Sequence, residues 1–369
     1  MSAYGPSLTS AVLVGEKHSQ PGQTPLQIDG VPVHYTLKQL PPPDFDGRLP
    51  MFHDQVLVRI DAFSCNYRDK ALLLSFAEKV NQRPASTKSA GFGSEFAGEI
   101  VAVGESVSNF RVGDKVMPDA TYPNDPAPGF TPGVVTNTAS KRWAIFAENK
   151  LCLIPDWLSM PEASAFSLAA QTAHSMVRKA NLGIGDTALV VSARSNTSMA
   201  VIKLLAEKGV RTFAVSSTPW SAAQLEKFGT AKNVTFMSLE NGFLPQHLEK
   251  VDAVLDPFAD INFLKFAAKL KMGGSYITCG FKNQHLANAS ESDQIPNIYQ
   301  VLPQLIINNQ QLMGNCIGLK ADLQAALEYG PAIKVPLDQV YAPAEVGAFI
   351  DRTFASEKFG KVVLDYMLA

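Results

Sequence analysis

The stretch best equipped for chemistry is Ala193-Arg-Ser-Asn-Thr-Ser198, which follows the apolar run Ala188–Val191 and opens a helical pattern closing on Gly209. A short strand, a loop of small residues and a helix make up the phosphate loop of a dinucleotide-binding domain. The usual G-x-G-x-x-G spacing is absent, and Ala193, Ser195 and Ser198 stand where its glycines would be. Two readings stay open. In one, the hydroxyls of Ser195, Thr197 and Ser198 bond a phosphate at the positive end of the helix, and Arg194 adds a charged contact. Asn196 then supplies the turn, since asparagine tolerates a left-handed backbone better than other non-glycine residues. In the other reading the same side chains only cap a helix, and they fill the space that a pyrophosphate needs.

The next strand bears on the type of cofactor. An acidic residue about twenty positions beyond the loop would hold the ribose hydroxyls of NAD. Here the sequence is Val215-Ser-Ser-Thr-Pro-Trp-Ser221, with no acid to repel a 2′-phosphate. NADPH is therefore favoured over NADH, with Ser217 and Thr218 as the available donors. No Ser-His-Asp arrangement is readable, and the six histidines show no metal-ligand spacing.

The elements that would position these groups change character along the chain. Up to about residue 150, short strands such as Val56–Asp61 and Phe96–Gly104 alternate with Gly- and Pro-rich turns, as in a small antiparallel barrel. Residues 77–91 and 119–138 read as long surface loops. From Ser159, a predicted helix cap, strands at 188–191, 212–215, 233–237, 253–255 and 275–278 alternate with helical segments near 198–208, 219–228 and 260–271. That alternation implies a doubly wound parallel sheet. The chain has 369 residues, 46% hydrophobic and 18% charged, with net charge −2. These values fit a soluble protein of two domains and give no sign of nucleic-acid or membrane binding. Cys65, Cys152, Cys279 and Cys316 are scattered, and Met1–Ser7 lacks the features of a secretory signal, so a cytoplasmic location is expected.

Several stretches together resemble the medium-chain dehydrogenase/reductase superfamily, on its zinc-independent, quinone-oxidoreductase-like side. They are Ser64-Cys-Asn-Tyr-Arg-Asp69, Gly93-Ser-Glu-Phe-Ala-Gly98, Phe110-Arg-Val-Gly-Asp-Lys-Val116, Gln171-Thr-Ala173, Gly273-Gly274 and Phe359-Gly-Lys-Val-Val363. The resemblance implies an α/β protein with a GroES-like β-barrel domain, residues 1–156 and 319–369, and a Rossmann domain, residues 157–318. It implies NADPH in a cleft, hydride transfer to an activated C=C or a carbonyl, and a homodimer. Zinc-dependent relatives place a cysteine and a histidine where this chain has Asn66 and Ser94, so no metal is expected.

Relatives with a G-T-G-G-V-S loop align it with residues 193–198. The resemblance also carries cofactor contacts onto Thr172, near the nicotinamide, onto Gly280 and Phe281, and onto Lys361, reaching toward the phosphates. A lysine that often pairs the 2′-phosphate aligns with Ser221. Tyr67, as hydrogen-bond or proton donor, and Asn66, as orienting amide, become the candidate catalytic pair; a purely structural role for Tyr67 stays open. Trp143 aligns with a barrel aromatic and is expected chiefly in the core. The substrate is expected to be a small molecule, or an intermediate borne on a carrier or peptide. The alternative is a cofactor-free descendant of the fold, a binding protein or an enzyme of another reaction class.

Overall fold

The computed structural model describes residues 4–19, 23–80, 89–122, 132–229, 231–245, 248–282 and 301–368. The chain divides into two compact units: Met1–Ala120, Pro128–Leu168 and Leu337–Ala369 form one, and Thr121–Ala127 and Ala169–Pro336 the other. These junctions lie later than the 156 and 318 expected. Ser167 and Leu168 bond the Glu95 carboxylate within the first unit, whereas Asp322 bonds His174 and Arg178 within the second.

The first unit is built on a mainly antiparallel sheet of seven strands. Gln55–Ser64 lies at its centre and pairs with Glu95–Val103, Trp143–Ala147 and the C-terminal strand Lys361–Asp365. Alternation at Val56, Val58 and Ile60 points these side chains to one face, and all three are fully buried. A second sheet, centred on Leu8–Val14 and Val31–Leu40, contributes Ala11, Leu13 and Val33 to the same core. Phe63 is the hub of that core, edge-on to Phe92 and Phe349 and stacked on Tyr366. Trp143 is buried in a smaller cluster with Phe45 and Leu57. Of the two long loops expected, residues 81–88 and 123–131 lie outside the described residues. Residues 77–79 end the helix Asp69–Lys79, and Ser89–Ala90 pairs with Leu8–Val14.

The second unit holds a parallel sheet of six strands: β1 (Thr187–Val190), β2 (Arg211–Ser216), β3 (Val234–Ser238), β4 (Val251–Asp256), β5 (Leu270–Thr278) and β6 (Gln311–Gly314). Their order is β3-β2-β1-β4-β5-β6, that of a doubly wound dinucleotide-binding sheet. The central strands are mostly apolar, as burial on both faces requires: Leu189, Val190 and Val254 are fully buried. Helix α1 (Ser167–Ala180) precedes β1, and helix α2 (Asn196–Glu207) connects β1 to β2. The cap expected at Ser159 opens a short helix, Met160–Ala163, through a reciprocal capping box with Glu162.

Gly98 lies where Glu95–Val103 crosses Gln55–Ser64, and a methyl group there would come within 2.4 Å of the Arg59 carbonyl oxygen. Gly98→Ala should therefore cost about 1–3 kcal/mol through overpacking. Gly183→Ala, with nothing within 4 Å, should stay within about 0.5 kcal/mol of wild type. Urea denaturation of both variants checks this.

Candidate functional site

In the first unit the turn after Gln55–Ser64 brings together most of the polar residues of its motif. The Lys361 ammonium, 2% exposed, donates to Asn66 Oδ1 at 2.7 Å, Glu95 Oε2 at 2.9 Å, and Ser64 Oγ and the Cys65 carbonyl at 3.2 Å. Glu95, fully buried, also accepts from the Leu168 N–H at 2.9 Å. The Asn66 amide is held at both ends, since its Nδ2 donates to Ser94 Oγ at 3.1 Å and Glu95 Oε2 at 3.2 Å. Ser94 in turn donates to Asp69, whose carboxylate also accepts the Asn66 N–H at 2.8 Å. Burial pushes the Asp69 carboxyl up against these bonds, and the buried Cys65 thiol is pushed well up in the same way. Tyr67 is half-buried beside this network. The structure thus joins Asn66 to Lys361, which the sequence assigned to catalysis and to cofactor phosphates respectively. The ammonium is found inside the barrel network. Among the described residues, no three His, Cys, Asp or Glu side chains gather to hold a metal ion.

In the second unit the expected loop leaves β1 and enters α2. The Val191 N–H donates to the Leu255 carbonyl and the Ala193 N–H to the Val215 carbonyl, so neighbouring strands hold the turn. Ser195 is the N-cap: its Oγ accepts the Ser198 N–H at 3.1 Å. Ser198, 1% exposed, donates its own hydroxyl to the Val191 carbonyl at 2.8 Å and straps helix to strand. Two of the three loop hydroxyls therefore serve the loop itself. Arg194 reaches across to Thr218 just beyond β2, with Nη1 to Oγ1 at 2.7 Å. Ser217 is exposed, and Ser221 caps the helix Ala222–Phe228. The residue at positive φ is Ser192, at 50°, one position before the stretch in which the sequence suggested missing glycines.

Beyond β5 and β6 lies an open crevice of about 940 Å³, lined by Tyr122, Ser175, Thr278, Gly280, Phe281 and Asn315 among others. Crevices at the carboxyl ends of parallel strands are where such sheets bind ligands. A methyl on Gly280 would sit 2.9 Å from the Pro257 carbonyl, so the backbone passes close there. Thr172 is buried on α1. Near the crevice, His174 Nδ1 and the Arg178 guanidinium converge on Asp322, at 2.9 Å and at 2.7 and 2.9 Å. The sequence held no hint of this partner, because it lies 148 residues from His174. Burial opposes ionisation of Asp322, yet the bonds from His174, Arg178 and the Leu319 N–H outweigh it and hold its carboxyl below the ordinary range.

Residues 53–145 match the alcohol dehydrogenase GroES-like domain family. The chain carries the fold of solved alcohol dehydrogenases and of a solved quinone oxidoreductase. It is 27% identical to the quinone oxidoreductase of Pseudomonas aeruginosa over 173 residues, 46% of this chain and 49% of that one. It is 30% identical to a trans-enoyl reductase of Gibberella fujikuroi over 196 residues, 50% of this chain and 54% of that one. The matched stretch thus spans about half the length of these curated relatives. Among solved structures, the Streptomyces 2-octenoyl-CoA carboxylase reductase CinF, in complex with NADP and 2-octenoyl-CoA, superposes with a TM-score of 0.69 at 19% identity. That superposition covers 98% of this chain and 88% of CinF. Among the described residues, no helix is long and apolar enough to cross a membrane.

Removing one member of a buried ion pair leaves the other uncompensated. Lys361→Met should cost about 3–5 kcal/mol, and Lys361→Met/Glu95→Gln, which removes both charges, should recover part of it; denaturant unfolding reads both. A depressed carboxyl stabilises the fold above its unfolded value, about pH 4, and loses that contribution as pH falls toward the folded value. The stability gap between wild type and Asp322→Asn should therefore be widest near neutrality and close below about pH 4, as read by melting midpoints across that range.

Proposed function

We propose that the protein is a zinc-independent, NADPH-dependent reductase of an activated C=C or a carbonyl. The observation that carries this reading is a set of buried polar atoms, without a hydrogen-bond partner among the described residues, at the carboxyl-end side of the parallel sheet. They are Arg194 Nε and Asn196 Oδ1 in the loop and Thr278 Oγ1 at the end of β5. Buried polar groups left unpaired are costly, and here their chemistry suits a dinucleotide: a guanidinium for phosphate, an acceptor for a ribose hydroxyl, and a hydroxyl beside the crevice. The N-terminus of α2 adds its positive end.

Arg194, Asn196 and Thr197 would hold the cofactor's phosphate region. Ser195 and Ser198 support the same loop by the cap and the strap. Thr172, Gly280 and Phe281 would line the nicotinamide side. Lys361 is left out of this set because its ammonium is committed to Glu95 and Asn66. Arg194 on Thr218 brings a cation to the end of β2, which favours a 2′-phosphate and hence NADPH over NADH. When bound, NADPH supplies the hydride. Tyr67 donates a hydrogen bond or a proton to the substrate oxygen, and Asn66 orients the substrate from an amide already fixed at both ends.

Independence from zinc is supported by what occupies the metal-ligand positions of zinc-dependent relatives. Asn66 and Ser94 bond each other there, beside a fixed ammonium. The substrate is proposed to be a small molecule or a carrier- or peptide-borne intermediate. A homodimer is supported by edge strand β6. Among the described residues it pairs only with β5, and it exposes Leu312 near exposed Ile306 and Ile307. Free thiols at all four cysteines suit a reducing cytoplasm.

NADPH oxidation with a panel of enones and quinones tests the reading. Turnover is expected in wild type and should fall about 10²-fold or more in Tyr67→Phe and Asn66→Ala. Undiminished rates in both variants would remove these residues from the chemistry. Absence of turnover with every acceptor would favour the cofactor-free alternative.

A further inference from the structure

The phosphate loop of this chain has no glycine, yet its backbone still makes a left-handed turn. The residue that makes it is Ser192, at φ 50°, immediately after the buried Val191. An L-residue in this conformation costs roughly 1–2 kcal/mol, and most of the other non-glycine residues at positive φ here are Asn or Asp. Serine has no comparable tolerance, so something outside the residue must hold it.

The side chain that reaches it is Asn262, on the helix Ala259–Phe266 that follows β4. Asn262 is 7% exposed, and its Nδ2 donates to Ser192 Oγ at 3.1 Å and to Asp256 Oδ1 at 2.8 Å. Asp256 ends β4, fully buried beside β1. It also accepts from the Tyr276 hydroxyl at 2.6 Å and from the Phe258 N–H at 2.8 Å. The carboxylate is thus fixed by three donors on three segments, and it fixes the amide that reaches the loop. Burial pushes the Asp256 carboxyl up against those donors, which marks how enclosed the anchor is.

We propose that Asp256 and Asn262 are positioning residues for the cofactor loop: the anchored amide holds Ser192 in the left-handed turn that glycine would otherwise supply. The loop keeps its shape through a side-chain tether in place of conformational freedom. Neither Asp256 nor Asn262 is assigned a contact with the dinucleotide. The proposal rests on the reading of the same loop as an NADPH site, but the tether is a property of the apo fold as well.

The test uses four variants of the full chain: Ser192→Ala, Ser192→Gly, Asn262→Ala and Ser192→Gly/Asn262→Ala. Each is read by its melting midpoint without cofactor and by calorimetric titration with NADPH. Ser192→Ala keeps the Cβ and loses the tether, so it should melt lower and bind NADPH about tenfold more weakly, the equivalent of about 1.4 kcal/mol. Asn262→Ala should do the same. Ser192→Gly needs no tether, and should melt above Ser192→Ala and bind within about twofold of wild type. The double variant should regain most of the affinity that Asn262→Ala loses. Equal losses in Ser192→Ala and Ser192→Gly, or no rescue in the double variant, would overturn the proposal. If wild type does not bind NADPH, the proposed function fails; the midpoints still decide the tether, supporting it if the glycine variant melts above the alanine variant and overturning it otherwise.

Discussion

A single buried ammonium fixes the geometry of the barrel's functional turn. Lys361 comes from the C-terminal strand, Asn66 from the turn after Gln55–Ser64, and Glu95 from the strand alongside. A charge that is 2% exposed is tolerable only with every partner in place. The pair therefore locks three chain segments in register, and Asn66 can adopt one orientation only.

The second unit solves a comparable problem with a different device. Its parallel sheet calls for a tight turn at the carboxyl end of β1, and the chain supplies serine where glycine would serve. The compensations are all local hydrogen bonds: Asn262 to Ser192, Ser198 to the Val191 carbonyl, and Ser195 to the Ser198 N–H. With those hydroxyls committed, Arg194 Nε, Asn196 Oδ1 and Thr278 Oγ1 are left buried without a hydrogen-bond partner among the described residues. In each unit a network of side-chain hydrogen bonds fixes the turn that carries the candidate residues.

Much of the fold was readable in the residues because local signals agreed with each other. The strands at 188–191 and 253–255 are apolar runs bounded by turn residues, and Ser159 with Glu162 spells a capping box, so periodicity and capping sufficed. The loop register was harder. Counting missing glycines drew attention to Ala193, whereas the demanding backbone is at Ser192, because φ depends on how neighbouring strands hold the turn and not on residue size alone. The surroundings of Lys361 were hidden for a related reason. Its place in a strand-end motif is visible in the sequence, but its four oxygen partners come from positions 266 to 297 residues away. Asp322, which organises His174 and Arg178, was invisible on the same grounds of separation. Residues 77–79 were read as loop although they finish a helix, since its weakly amphipathic sequence carries little periodic signal.

A loop without glycine that still binds a dinucleotide with a 2′-phosphate is the feature on which the proposed reduction stands or falls. Calorimetric titration of the full chain with NADPH and, separately, NADH decides it. Saturable binding of NADPH with a one-to-one stoichiometry, tighter than that of NADH and with the preference reduced in Arg194→Ala, is the predicted result. No heat of binding for either dinucleotide at millimolar concentration would contradict that reading and leave the fold without the cofactor on which the reduction depends.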